Sequence, residues 1–184
     1  MNQHKKNNPY LLYVGNSYPH KNLERLLRAF NVVSKEISDL NLILVGKIDY
    51  FYKRTQKQAE KLKLSNKVIF VGELSDEELN KAYQDGLAYV FPSLSEGFGL
   101  PGLEAMKQDL PVISSNKEPL PEIYGQAAIY FNPEDIQDMA KKILEVVTNG
   151  PLRERLKILG KNQVKKYSWN KCSKQILEIY KQIL

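Results

Sequence analysis

The chain has 184 residues, 42% hydrophobic and 26% charged, the mix expected of one soluble globular domain. The single cysteine, Cys172, excludes an intrachain disulfide and a cysteine metal cluster, and the only histidines, His4 and His20, lack metal-ligand spacing. The net charge of +6 comes from lysine, since the only arginines are Arg25, Arg28, Arg54, Arg153 and Arg155; it suits an anionic small molecule or an anionic membrane surface, and no reader motif for nucleic acid accompanies it.

Residues 1–8 are polar and read as a flexible lead, with 9–184 as one domain. The lead lacks the apolar segment of a signal peptide, and no run approaches the ~18 apolar residues of a membrane span. A reducing, cytoplasmic setting is therefore expected. Strands are expected at Tyr10–Val14, Leu40–Val45, Val68–Val71, Ala88–Phe91, Val112–Ser114 and Ala128–Phe131. Between the first two, Leu23, Leu26, Leu27, Phe30 and Val33 form one helical stripe. Further helices are expected near Tyr52–Leu62, Asp76–Gln84 and Leu100–Lys107. The tail from Asp135 reads as helical, broken near Gly150-Pro151 and Tyr167-Ser168.

Strands alternating with helices imply a parallel sheet covered on both faces. Six such strands suit the doubly wound, Rossmann-like order 3-2-1-4-5-6, whose switch point lies between the first and fourth strands. The loops leaving those strands, Gly15–Lys21 and Ser93–Gly99, then meet at the ligand crevice.

The second of these loops carries the strongest chemical signal. Ser93-Leu94-Ser95-Glu96-Gly97-Phe98-Gly99-Leu100-Pro101-Gly102-Leu103-Glu104 follows an apolar strand and opens a helix. Glycine lets a ligand approach the backbone closely, and a helix start offers free N–H groups and a positive dipole end to an anion. Pro101 fits the first turn, where its missing N–H costs nothing. A phosphate alone would not be met by carboxylates, whereas phosphate joined to sugar hydroxyls would, because carboxylates accept strongly from hydroxyls. Glu96 and Glu104 then serve two parts of one ligand. Lys21 is unfavourable at a helix start unless it faces an anion such as a diphosphate.

Glu96 to Glu104, a glutamate, seven residues and a glutamate, resembles the motif of family 4 of the retaining glycosyltransferases. Tyr13-Val14-Gly15 with Pro19-His20-Lys21-Asn22-Leu23, then Pro111 to Asn116, Leu120-Pro121-Glu122, Gly125 to Ala128, and Ser168-Trp169, extend the similarity over about residues 10–180. The resemblance implies the C-terminal, donor-binding half of a GT-B enzyme. Such an enzyme moves a hexosyl unit from a nucleoside diphosphate sugar to an acceptor hydroxyl in glycan or polysaccharide synthesis, with retention. It implies catalytic roles for Glu96 and Lys21, and donor binding by Gly15, Asn16, Lys21, Leu74, Glu96, Gly97, Phe98, Gly99, Leu100 and Glu104. Glu96 would hold the sugar hydroxyls and Glu104 the ribose. No metal and no separate cofactor are implied, and GDP-mannose is the favoured donor.

A glycan or lipid-linked acceptor would bind an N-terminal domain absent from this chain, so the chain alone would bind donor and transfer poorly. Peripheral contact with the cytoplasmic face of a membrane fits the lysine excess. The alternative is a non-catalytic nucleotide-sugar-binding module or one subunit of a split enzyme. The family's arginine before the lysine is missing from Asn16-Ser17-Tyr18-Pro19-His20, which leaves Lys21 and backbone amides to neutralise the diphosphate. Asp109 stands where the family has a helix-ending glycine, so a left-handed aspartate is expected there at modest local cost. A dehydrogenase fingerprint, a P-loop and a Gly-x-Ser-x-Gly elbow are all lacking.

Overall fold

The computed structural model describes residues 8–183. The reading of a flexible lead at 1–8 falls almost wholly outside them. The described chain alternates β1 (Tyr10–Val14), α1 (Leu23–Glu36), β2 (Asn41–Val45), α2 (Tyr50–Lys61), β3 (Val68–Gly72), α3 (Asp76–Gln84), β4 (Ala88–Phe91), α4 (Leu100–Lys107), β5 (Val112–Ser115), α5 (Leu120–Tyr124) and β6 (Ala128–Phe131). Three helices follow: α6 (Ile136–Thr148), α7 (Gly150–Val164) and α8 (Trp169–Ile183). All six strands pair in parallel in the order β3-β2-β1-β4-β5-β6, as the alternation predicts.

Parallel crossovers are right-handed. Strand progression reverses at β1 and β4, so α1 and α2 cover one face of the sheet and α4 covers the other. Helix α6 returns to pack on α1, and α7 packs on α4. The predicted stripe of Leu23, Leu26, Leu27, Phe30 and Val33 is wholly buried. Burial of each such side chain contributes about 1.5–3 kcal/mol.

Helix starts are locally specified. Asp49 accepts from the Tyr52 N–H at the start of α2, and Ser75 and Glu78 form a reciprocal capping box on α3. Helix α2 begins two residues earlier than the sequence suggests, because Asp49 supplies that cap. Asp109 adopts the left-handed conformation expected of it, with φ 61°, and its carboxylate pairs with Lys161 of α7 at 2.8 Å. Helix α8 buries none of its residues, and Trp169 is 79% exposed.

Candidate functional site

The loop leaving β1 is held by the end of β2 and by a side chain of β1. The Gly15 N–H donates to the Val45 carbonyl at 3.0 Å, and Tyr13 Oη donates to the Asn16 carbonyl at 2.7 Å. A β-carbon at Gly46 would overlap the Gly15 carbonyl, so glycine is required where β1 and β2 end side by side. Pro19–Lys21 then form a single 3-10 turn, and Asn22, with φ 60°, turns the chain into α1. Lys21 therefore ends a turn two residues before α1, near the helix start as the sequence suggested. Buried Asn22 fixes the turn by donating from Nδ2 to the carbonyls of Pro92 and Pro133 at 3.0 and 2.8 Å.

The loop leaving β4 meets the first loop directly. The Leu94 N–H donates to the His20 carbonyl at 2.8 Å. Lys21 Nζ lies 2.6 Å from Glu96 Oε1, with side chains only 14% and 11% exposed, and 5.7 Å from the centre of the buried Phe91 ring. The sequence assigned Lys21 and Glu96 to separate parts of a ligand, whereas the structure makes them partners of each other. Beyond Glu96, the N–H groups of Gly97, Phe98, Gly99 and Leu100 donate to no other described residue. A β-carbon at Gly97 would meet nothing within 4 Å. Four free donors thus precede and open α4, beside a lysine and a carboxylate. Phe98 and Leu100, 40% and 45% exposed, put apolar surface beside those donors.

Gly99 and Gly102 answer to packing. Gly99 has φ +90°, and a β-carbon at either position would collide with the buried Tyr124 side chain, whose hydroxyl donates to the Gly99 carbonyl at 2.6 Å. On α4, exposed Glu104 accepts from the hydroxyl of buried Tyr83 at 3.1 Å. Tyr13, Tyr83, Tyr89 and Tyr124 are all buried, with hydroxyl pKa values pushed well above the usual range. Burial is the main cause in each; the Glu96 charge comes next for Tyr13 and Tyr124, and the Glu104 charge for Tyr83.

Sequence reasoning missed Tyr83, Tyr124 and Phe91 as supports of the site, since nothing in their local pattern marks them. Leu74 follows β3 half-buried against the core. Lys47 and His20 are exposed. The run Tyr50-Phe51-Tyr52 splits: Tyr50 is 72% exposed, Phe51 packs on Tyr18, and buried Tyr52 accepts from the Gly72 N–H at 2.7 Å.

A separate cavity of about 340 Å³ lies behind the first loop. Its lining includes Tyr18, Arg25, Arg28, Phe51 and Arg54. Arg25 is engaged with Asn22 at 3.1 Å and Arg54 with Glu24 at 2.8 Å. Among the described residues, no group of three or more His, Cys, Asp or Glu could hold a metal ion, and no helix is long and apolar enough to cross a membrane.

Residues 1–163 match the family model described as glycosyl transferases group 1. The chain is 34% identical over 173 residues to the O-antigen chain mannosyltransferase B of Escherichia coli, covering 94% of this chain and 45% of that protein. It is 40% identical over 134 residues to the O-antigen chain mannosyltransferase RfbU of Salmonella typhimurium, covering 72% of this chain and 37% of that protein. The chain thus spans less than half the length of these two relatives. Among solved structures, the C-terminal domain of a glycosyl transferase group 1 family protein (LpcC) from Francisella tularensis is similar. Its TM-score is 0.76 at 25% identity, over 89% of each chain.

Proposed function

The chain belongs to the group 1 glycosyltransferases, and we propose that it is the donor-binding half of a retaining enzyme of family 4, with a GT-B architecture and a GDP-mannose donor. The observation that carries this reading is the row of free N–H groups from Gly97 to Leu100 beside Lys21 and Glu96. The N–H groups and Lys21 receive the diphosphate. Glu96 receives sugar hydroxyls, and Glu104, oriented by Tyr83, receives the ribose. Two relatives named as mannosyltransferases of O-antigen chains support the choice of mannose and a role in polysaccharide synthesis.

In the reaction, the bond between the anomeric carbon and the diphosphate oxygen breaks, and its electron pair leaves with the diphosphate. The acceptor oxygen bonds to the anomeric carbon and gives up its proton to the departing diphosphate oxygen. This chain contributes positive potential where the leaving charge grows, which is the most effective place for it. A helix start and a lysine supply that potential without a divalent ion. The glycan or lipid-linked acceptor belongs to the other half of a full-length enzyme, at the cytoplasmic face of a membrane.

Calorimetric titration with GDP, UDP, GDP-mannose and UDP-glucose, with and without a chelator, tests the reading. GDP-mannose is expected to bind in both conditions. Lys21→Ala is expected to weaken GDP by about 1.5–3 kcal/mol, roughly tenfold or more, with the fold retained. Binding that vanishes with chelator contradicts the metal-free site, and wild-type affinity in Lys21→Ala contradicts the role of Lys21.

A further inference from the structure

The Lys21–Glu96 ion pair means that the cation expected to hold a diphosphate is already occupied. The pair is largely screened from water, and the Leu94 to His20 hydrogen bond ties the two loops that carry it. Burial chiefly raises the Tyr13 and Tyr124 hydroxyls, and the Glu96 charge nearby adds to it. Lys21 is the only cation paired with Glu96 among the described residues. A phosphate group that takes Lys21 leaves Glu96 poorly solvated, without its counter-charge, and beside new negative charge. Breaking a shielded pair in this way is costly unless the stranded carboxylate gains new donors.

We propose that Glu96 is a specificity-determining residue that selects sugar nucleotides against free nucleoside diphosphates by withholding Lys21. A sugar nucleotide brings hydroxyls that donate to the carboxylate as its diphosphate takes the lysine. A free nucleoside diphosphate takes the lysine and offers Glu96 nothing in return. The same pair, re-formed as the sugar departs, helps expel the product. The inference rests on the donor-site reading above and adds to it a competition between two residues of that site.

The test is titration of the wild type, Glu96→Gln and Glu96→Ala with GDP and with GDP-mannose, with melting temperatures recorded alongside. The wild type is expected to bind GDP-mannose more tightly than GDP. Both variants are expected to bind GDP about tenfold more tightly than the wild type, because Lys21 is released and the adjacent negative charge is gone. Their preference for the sugar nucleotide is expected to disappear. GDP affinity that is unchanged or lower in both variants overturns the proposal. Equal affinity of the wild type for GDP and GDP-mannose overturns it without any variant, which keeps the test decisive if a variant fails to fold. Failure of the wild type to bind any nucleoside diphosphate or sugar nucleotide removes the donor-site reading itself, and the proposal with it.

Discussion

The two loops at the switch point use glycine for opposite purposes. After β1, Gly15 donates to Val45, and Gly46 makes room for the Gly15 carbonyl. The glycine backbone there meets other backbone. After β4, the N–H groups from Gly97 to Leu100 have no protein acceptor, and Gly97 faces open space. Packing explains Gly99 and Gly102, both pressed by Tyr124, but nothing in the described chain explains Gly97. Gly15 is thus fixed between the ends of β1 and β2, whereas Gly97 stands open on the surface.

The widest separation between the loops is expected from one substitution in each. Gly46→Ala forces a methyl group against the Gly15 carbonyl, and a loss of about 3 kcal/mol of stability or more is expected, read as a large fall in melting temperature. Gly97→Ala meets no neighbour and should change stability by less than ~0.5 kcal/mol. Its added methyl obstructs the approach of a diphosphate, so GDP binding should fall by about 1.5–3 kcal/mol, the net contribution of one hydrogen bond to a charged group. A stable Gly46→Ala or an unfolded Gly97→Ala would erase the comparison.

A smaller effect sharpens it. Tyr83→Phe removes the donor that orients Glu104 while leaving that exposed carboxylate solvated. GDP affinity is expected to fall by about 1 kcal/mol, some fivefold, with little change in stability. The loss should vanish for a 2′,3′-dideoxy analogue, which a purely structural role for Tyr83 does not predict.

At neutral pH the smallest effect is that of the tyrosine hydroxyls, which emerges only in alkali. Tyr10 donates to the Ala82 carbonyl at 2.8 Å, and burial, followed by the Asp85 charge, pushes its pKa from 10.0 up to about 12. The unfolded chain gives up this proton first. The stability contributed is therefore intact below pH 10 and lost as pH rises through about 12. Tyr13, Tyr83, Tyr89 and Tyr124 are shifted in the same direction. Beyond the signal of exposed tyrosines such as Tyr50, phenolate absorbance from these five hydroxyls should appear together with unfolding, and their ionisation in a still-folded protein would contradict their burial.

The sheet was legible in the sequence because parallel strands buried on both faces read as short apolar runs, and each was bounded by turn residues. Three of the six, Tyr10–Val14, Ala88–Phe91 and Ala128–Phe131, have the expected limits, and the remainder differ by one residue at one end. The helix stripe of α1 and the left-handed Asp109 were equally local signals. The site was legible as two loops, since strand order alone brings them together. What local pattern could not show was partnership across the fold. Lys21 and Glu96 are 75 positions apart, Tyr83 and Glu104 are 21 apart, and Tyr124 and Gly99 are 25 apart. Each of these contacts depends on where a side chain points after the sheet has formed.

The central claim is that the crevice between the exits of β1 and β4 binds a nucleoside diphosphate. A crystal structure of the chain with GDP tests it most directly. The account predicts the diphosphate against the N–H groups from Gly97 to Leu100, within about 3 Å of Lys21 Nζ, and the ribose against Glu104. GDP seated instead in the cavity lined by Arg25, Arg28 and Arg54, with the start of α4 left bare, would contradict it.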